Sequence, residues 1–196
     1  KKISERYSYE IIFTNNCSED NTVFEISKIV EIDNNVKLIT LSKNFGRNNS
    51  QLAGLENSVG DILFMIDVDC EDPPEMLLEF LDYYENGYSL VYGIRSRIKE
   101  SLMLYMSAKL FYRVTKLFAD QELILDMAEF SIFSRQIKNE ILKTNTSFPF
   151  FRAELSSVGF KKIGISYNRK KRLHGKSNYS FFKLLEFAAA GFFTSS

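Results

Sequence analysis

Residues 61 to 75, DILFMIDVDCEDPPE, decide how the chain is read. An apolar run from Ile62 to Ile66 is followed by carboxylates at every second position, Asp67, Asp69 and Glu71. In an extended chain alternate side chains point to one face, so this spacing predicts three carboxylates converging at the end of a buried strand. Hard divalent cations such as magnesium or manganese take oxygen ligands of this kind, usually one or two carboxylates completed by phosphate oxygens. The Pro73-Pro74 pair then stops the strand, because proline lacks the ladder donor. The residues point to a metal at a strand's carboxyl end, open to a diphosphate. The competing reading is a strand ending in a solvated acidic loop, since acidic pairs are common.

Outward from this stretch the pattern alternates. Tyr9 to Thr14 reads as a buried strand, Asn21 to Val30 as a helix with apolar spacing at Val23, Ile26, Ile29 and Val30, and Val36 to Leu41 as a second strand. Asn48 to Ser58 reads as a helix and Asp61 to Ile66 as the strand before the carboxylates. Pro74 to Asn86 reads as a helix with proline in its first turn and a stop near Gly87. Leu90 to Ile94 is another strand, Leu102 to Phe118 a long helix, Phe130 to Phe133 a short strand, Arg135 to Lys143 a helix and Lys161 to Tyr167 a strand. Strands alternating with helices predict an α/β fold, a mostly parallel sheet covered on both faces. Ligands in such sheets sit at the carboxyl ends of strands, where Asp67 and Asp69 fall.

The chain has 196 residues, 45% hydrophobic and 26% charged, which suits one globular domain with a sizeable core. Formal net charge is zero, so no global argument for nucleic-acid binding holds and none is expected. The charges are segregated, however. From Asn48 to Ile94 there are acids and no Lys or Arg, whereas from Leu155 to Leu185 there are Lys and Arg and no acid. One region is composed to hold cations and another to hold anions. Two cysteines, Cys17 and Cys70, are too few for a disulfide framework and suit a reduced, cytosolic setting. No signal peptide and no span of ~20 apolar residues is visible. The aromatic-rich segment Phe181 to Phe193 fits a core helix, an interfacial helix or the first turns of a membrane span.

Several segments together resemble the family-two glycosyltransferases of the GT-A (Rossmann-like) fold. These are Leu41-Ser42-Lys43-Asn44-Phe45-Gly46-Arg47, Leu52-Ala53-Gly54-Leu55, the DVDCEDPPE run, Tyr92-Gly93-Ile94-Arg95, Asp126-Met127-Ala128-Glu129-Phe130 with Arg135, and Arg169 and Arg172 with Gly175, Ser177 and Tyr179. More narrowly, the chain is similar to polyprenyl-phosphate glycosyltransferases related to dolichyl-phosphate mannose synthase. The likeness runs from about Tyr9 to the end.

The resemblance implies transfer of a sugar from a nucleotide-sugar, UDP- or GDP-linked, to a polyprenyl (undecaprenyl) phosphate, with inversion at the anomeric carbon. It implies Mg2+ or Mn2+ on Asp67 and Asp69, with Glu71 standing where the family usually has Gln. Glu129 falls where these enzymes place the carboxylate nearest the acceptor phosphate, with Asp126 just before it. Arg169, Arg172 and Ser177 would clasp diphosphate or acceptor phosphate, using the fork geometry of Arg, and Gly175 would allow close backbone approach. Arg95 and Arg113 are candidates for the lipid phosphate. The same resemblance makes residues 1–179 a glycosyltransferase domain and residues 180–196 an amphipathic or juxtamembrane helix. It implies work at the cytoplasmic face of the membrane, with the helix Leu102 to Phe118 available to pack against a sister subunit.

Two departures stand out. The family opens with a strand and a segment lining the nucleoside pocket, and this chain begins after it, so the first strand and most of the first helix are expected to be missing. Where the family has Asp-Asp-Gly-Ser, this chain has Asn15-Asn16-Cys17-Ser18. Asn16 keeps hydrogen-bonding capacity toward a base but brings no charge, and Cys17 loses the freedom of Gly. Ala128 and Glu129 likewise replace a Gly-Asp pair. A soluble polysaccharide glycosyltransferase and a non-catalytic partner protein that keeps the fold both stay open beside the lipid-linked enzyme.

Overall fold

The computed structural model describes residues 5–95, 124, 127–144 and 151–170. The expected helix Leu102 to Phe118 and the segment 180–196 lie outside them, as do Asp126, Arg113, Arg172, Gly175 and Ser177. In chain order come β1 (Ile11–Asn15), α1 (Thr22–Ile32), β2 (Val36–Thr40), α2 (Arg47–Glu56) and β3 (Ile62–Met65). A short 3-10 turn (Pro74–Met76) leads into α3 (Leu77–Glu85), followed by β4 (Leu90–Arg95), β5 (Met127–Ser134), α4 (Arg135–Lys143), α5 (Phe151–Ser157) and β6 (Lys162–Tyr167). The chain divides into two compact units, Lys1–Leu63 with Ser134–Pro149, and Phe64–Phe133 with Phe150–Ser196.

In the first unit β1 and β2 pair in parallel, Ile11 against Val36 through Asn15 against Thr40. The sequence predicts a buried first strand and a helix with a buried stripe. Ile11 is instead exposed, and α1 has no fully buried residue: Val23, Ile26 and Val30 are half-buried and Ile29 is exposed. Apolar spacing states which face a helix would bury, not that a neighbour covers it. The loop before β3 is held from three directions. Glu10 accepts from the N–H groups of Val59 (2.7 Å) and Gly60 (3.1 Å), Arg135 Nε donates to the Gly60 carbonyl (3.1 Å), and Lys138 Nζ donates to the Ser58 carbonyl. Arg135 also pairs with Asp61 at 3.1 Å, so the family-like Arg135 anchors the approach to the carboxylate stretch.

The larger sheet runs in the order β3-β5-β4-β6. β4 pairs in parallel with β6 and antiparallel with β5, so the sheet is mixed, parallel at the β4-β6 side and reversed where β5 inserts. The expected α/β class holds. β5 is eight residues, twice the length expected, and buried throughout; Glu129 in its first half lies just ahead of the expected strand Phe130 to Phe133. The helix α5 was not expected. Phe151 and Leu155 are wholly buried on it at i, i+4 spacing.

The core of the second unit centres on Phe130. Its ring meets Phe64 at 5.5 Å, Phe80 at 5.1 Å and Tyr167 at 5.3 Å. Full burial of each such ring contributes about 2–3 kcal/mol. α3 ends as its sequence predicts. Gly87 takes φ +87°, its N–H bonds the Tyr84 carbonyl (2.9 Å), and the Tyr88 N–H bonds that of Tyr83 (3.3 Å), a Schellman closure. Cys17 and Cys70 are exposed free thiols.

Candidate active site

The strand before the carboxylates ends at Met65, so side-chain alternation does not reach Asp67, Asp69 and Glu71. This corrects the extended-chain argument for their convergence. A turn does the work instead. Cys70 adopts φ +58°, in the left-handed region, and Asp69 Oδ1 accepts the N–H of Glu71 at 3.1 Å. The reversal buries Glu71 and Asp72 while Val68 stays 81% exposed at the tip.

The loop after β6 folds against this turn. The Lys170 N–H donates to the Glu71 carbonyl (2.8 Å), and Lys170 Nζ reaches Glu75 (3.3 Å). Arg169, on the same loop, pairs through Nη2 with Glu71 and lies 3.8 Å from Asp69 Oδ2; its Nε lies 3.9 Å from Asp72 Oδ1. At the end of β4, Arg95 Nη2 lies 3.9 Å from Asp72 Oδ2, and Arg95 Nε donates to the Tyr167 hydroxyl at 3.4 Å. Burial pulls the Arg95 guanidinium down, but the Tyr167 hydroxyl and the charges of Asp72 and Asp67 outweigh it and raise its pKa. The acidic and basic blocks of the sequence therefore meet within the second unit.

Of the residues singled out by sequence, the structure brings together Asp69, Glu71, Arg95 and Arg169, with the charge of Asp67 felt at Arg95. Glu129 is buried on β5 at an irregularity of the ladder. Between the Tyr92–Ser131 and Ile94–Met127 pairs, β5 advances from Met127 to Ser131 while β4 advances only from Tyr92 to Ile94. Such bulges redirect a side chain and are frequent beside active sites. Asn16, in the first unit, is tied into a local amide cluster. Its Nδ2 donates to Asn44 Oδ1 (2.7 Å), and its Oδ1 accepts the Phe45 N–H (2.9 Å). Cys17 beside it takes φ +63°, keeping the backbone shape that glycine would adopt.

Asp72 and Tyr167 were not singled out by sequence. Asp72 is 1% exposed and accepts a hydrogen bond from the Tyr167 hydroxyl. The one sequence signal for it is local: the residue before a proline is held extended, and Asp72 precedes the rigid Pro73-Pro74 pair.

Among the described residues no group of three or more His, Cys, Asp or Glu is arranged to hold a metal unaided. Glu71 answers to Arg169, so the expected three-carboxylate cage is corrected. Asp67 and Asp69 offer oxygen donors of the kind a hard cation takes, with Asp69 also 3.8 Å from Arg169; magnesium commonly takes one or two carboxylates and completes its shell with water and phosphate.

The chain is 33% identical over 190 residues to an uncharacterized glycosyltransferase of Bacillus subtilis (strain 168), YkcC, covering 96% of this chain and 59% of that protein. It is 28% identical over 186 residues to a prophage bactoprenol glucosyl transferase homolog of Escherichia coli (strain K12), covering 94% of this chain and 61% of the relative. The chain thus spans about three fifths of the length of these relatives. Among solved structures, residues 1–349 of TarS from S. aureus match with a TM-score of 0.53 at 15% identity, over 92% of this chain and 55% of that one, a likeness of fold. The profile described as Glycosyl transferase family 2 matches residues 1–151, and the chain belongs to that family.

Proposed function

We propose that this chain is the donor-binding and catalytic part of an inverting glycosyltransferase that moves a sugar from a UDP- or GDP-linked nucleotide-sugar to undecaprenyl phosphate. The observation that carries the reading is the turn from Asp67 to Asp72 lying against the guanidiniums of Arg95 and Arg169. Oxygen donors suited to a cation and nitrogen donors suited to phosphate thereby stand at one edge of the same unit.

In this reading Asp67 and Asp69 hold Mg2+ or Mn2+ on the donor diphosphate. The bound cation would neutralise charge building on the departing nucleoside diphosphate. Arg95 and Arg169 supply further donors to the phosphate oxygens, joined by Arg172, Ser177 and the backbone at Gly175. Glu129, with Asp126, is assigned to the acceptor. A phosphate oxygen is already anionic at neutral pH, so holding it in line with the anomeric carbon is a larger contribution than removing a proton. Asn16 is assigned to the nucleoside. The relatives named as bactoprenol glucosyl transferases support the polyprenyl acceptor, and the basic run before 180–196 suits an anionic cytoplasmic membrane surface.

The test is incubation of the full-length protein with a panel of nucleotide-sugars and short-chain polyprenyl phosphate, with and without manganese. Turnover is expected only with both substrates and the metal, and Asp69→Ala should lower it by at least about 100-fold. Undiminished turnover by Asp69→Ala would remove the metal role, and transfer only to a soluble polysaccharide would remove the lipid acceptor.

A further inference from the structure

Gly93 opens a slot in the sheet. A Cβ at that position would lie 2.5 Å from Tyr167 Cε1 and 3.0 Å from Phe130 Cδ1, so any larger residue would displace the Tyr167 ring. The ring instead lies against β4 beside Phe130, at 5.3 Å and 58°. From there the hydroxyl meets two groups. It donates to Asp72 Oδ1 and accepts from Arg95 Nε. A carboxylate only accepts and a guanidinium only donates, so the proton order along Arg95, Tyr167 and Asp72 is fixed by chemistry.

The Asp72 carboxylate is divided between two cations. One oxygen faces Arg169 Nε and the other faces Arg95 Nη2, each at 3.9 Å. These arginines come from different places, the end of β4 and the loop after β6. Like charges brought side by side repel unless an opposite charge between them offsets the repulsion. A carboxylate this deeply buried is poorly placed to touch a phosphate and would repel it. Its remaining effect is on the arginines.

We propose that Asp72 and Tyr167 are a positioning pair that holds Arg95 and Arg169 together as one clamp for the diphosphate of a nucleotide ligand. The inference rests on the donor-binding reading above and adds to it two residues that do not touch the ligand. Gly93 belongs to the same device, since it makes room for the tyrosine ring.

Affinity for inorganic pyrophosphate, measured by calorimetry on the full-length protein below its melting range, tests this directly. Tyr167→Phe and Asp72→Asn should each weaken binding about tenfold, the scale of one misplaced charge-assisted hydrogen bond. In the Arg95→Ala/Arg169→Ala background the same two changes should do nothing further, because their route to the ligand is gone. A general loosening of the fold would lower affinity in both backgrounds and would overturn the inference. If Arg169→Ala leaves pyrophosphate affinity unchanged, the diphosphate reading of the site falls and this inference with it. If Arg169→Ala weakens binding while Tyr167→Phe and Asp72→Asn match the parent, the positioning pair alone falls. Should Asp72→Asn fail to fold, Tyr167→Phe, which removes one oxygen, decides the question.

Discussion

In the first unit the candidate residue Asn16 sits at the surface, held by two hydrogen bonds to the 44–45 segment. In the second unit Asp72 sits almost wholly out of water, between two guanidiniums and a phenol. The first arrangement uses neutral amides that water replaces readily when they part. The second places a carboxylate that water scarcely reaches between its partners, so a partner lost from Asp72 is poorly replaced. Geometry is therefore cheap to change at the Asn16 cluster and costly at Asp72.

The largest effect expected from this contrast is at Asp72. Asp72→Ala leaves Arg95 and Arg169 facing each other without their shared carboxylate. Removing one partner from a fully buried pair costs 3–5 kcal/mol, but each arginine keeps about a third of its side-chain surface in water, which screens the loss. A destabilisation of about 2–3 kcal/mol is expected, read as a lower urea midpoint with unchanged slope. A change below about 0.5 kcal/mol would mean that the cluster is no more demanding than a surface amide.

Next comes Tyr167. Burial and then its bond to the Asp72 carboxylate push the phenol up to about 12, against about 10 in an unfolded chain. The folded state therefore keeps a proton that the unfolded state releases. The associated stability, about 2–3 kcal/mol, is fully present below pH 10 and is lost as pH rises toward 12. Thermal midpoints followed across that window should fall more steeply for the parent than for Tyr167→Phe. Equal slopes would show that another group titrates there.

How much of this was legible depends on the range of the interaction. The helix Arg135–Lys143 matches its expected bounds, and α3 stops where Gly87 marks it, because caps and glycine act within a turn. The acidic and basic blocks marked one stretch for cations and another for anions, but not that Glu71 and Arg169 pair. Asp72 and Tyr167 lie 95 residues apart, and no periodicity connects them. The slot at Gly93 is equally silent, since a glycine in a strand announces close approach without naming what approaches. β5 outruns the expected Phe130 to Phe133 because the sheet buries Glu129, a carboxylate within an otherwise apolar start. The stripe on α1 overstated the burial: Val23, Ile26 and Val30 are half-buried and Ile29 is exposed.

A smaller effect is expected at Glu71, where the resembled family usually has Gln. Its carboxylate pairs with Arg169 and adds a negative charge beside the proposed diphosphate. Glu71→Gln keeps the size, frees Arg169 from one partner and removes that repulsion. Screened Coulomb interaction over this range is about 1 kcal/mol, so pyrophosphate should bind roughly three- to fivefold tighter. Calorimetry that finds weaker binding would mean that the Glu71 charge orients Arg169 productively instead of restraining it.

The smallest effect belongs to the first unit. Asn16→Asp restores the residue of the resembled family. The new carboxylate can still accept the Phe45 N–H, but it replaces a donor with an acceptor against Asn44 Oδ1, now 2.7 Å from Asn16 Nδ2. Asn44 cannot simply turn its amide around, because the same Oδ1 accepts the Gly46 N–H at 2.9 Å. One hydrogen bond is lost and none is gained, yet both groups are exposed and water takes up the slack. The expected cost is about 0.5–1 kcal/mol, well under that of Asp72→Ala on the same urea scale. If the two substitutions cost the same, the amide cluster is as rigid as the buried charges, and the contrast between the units does not hold.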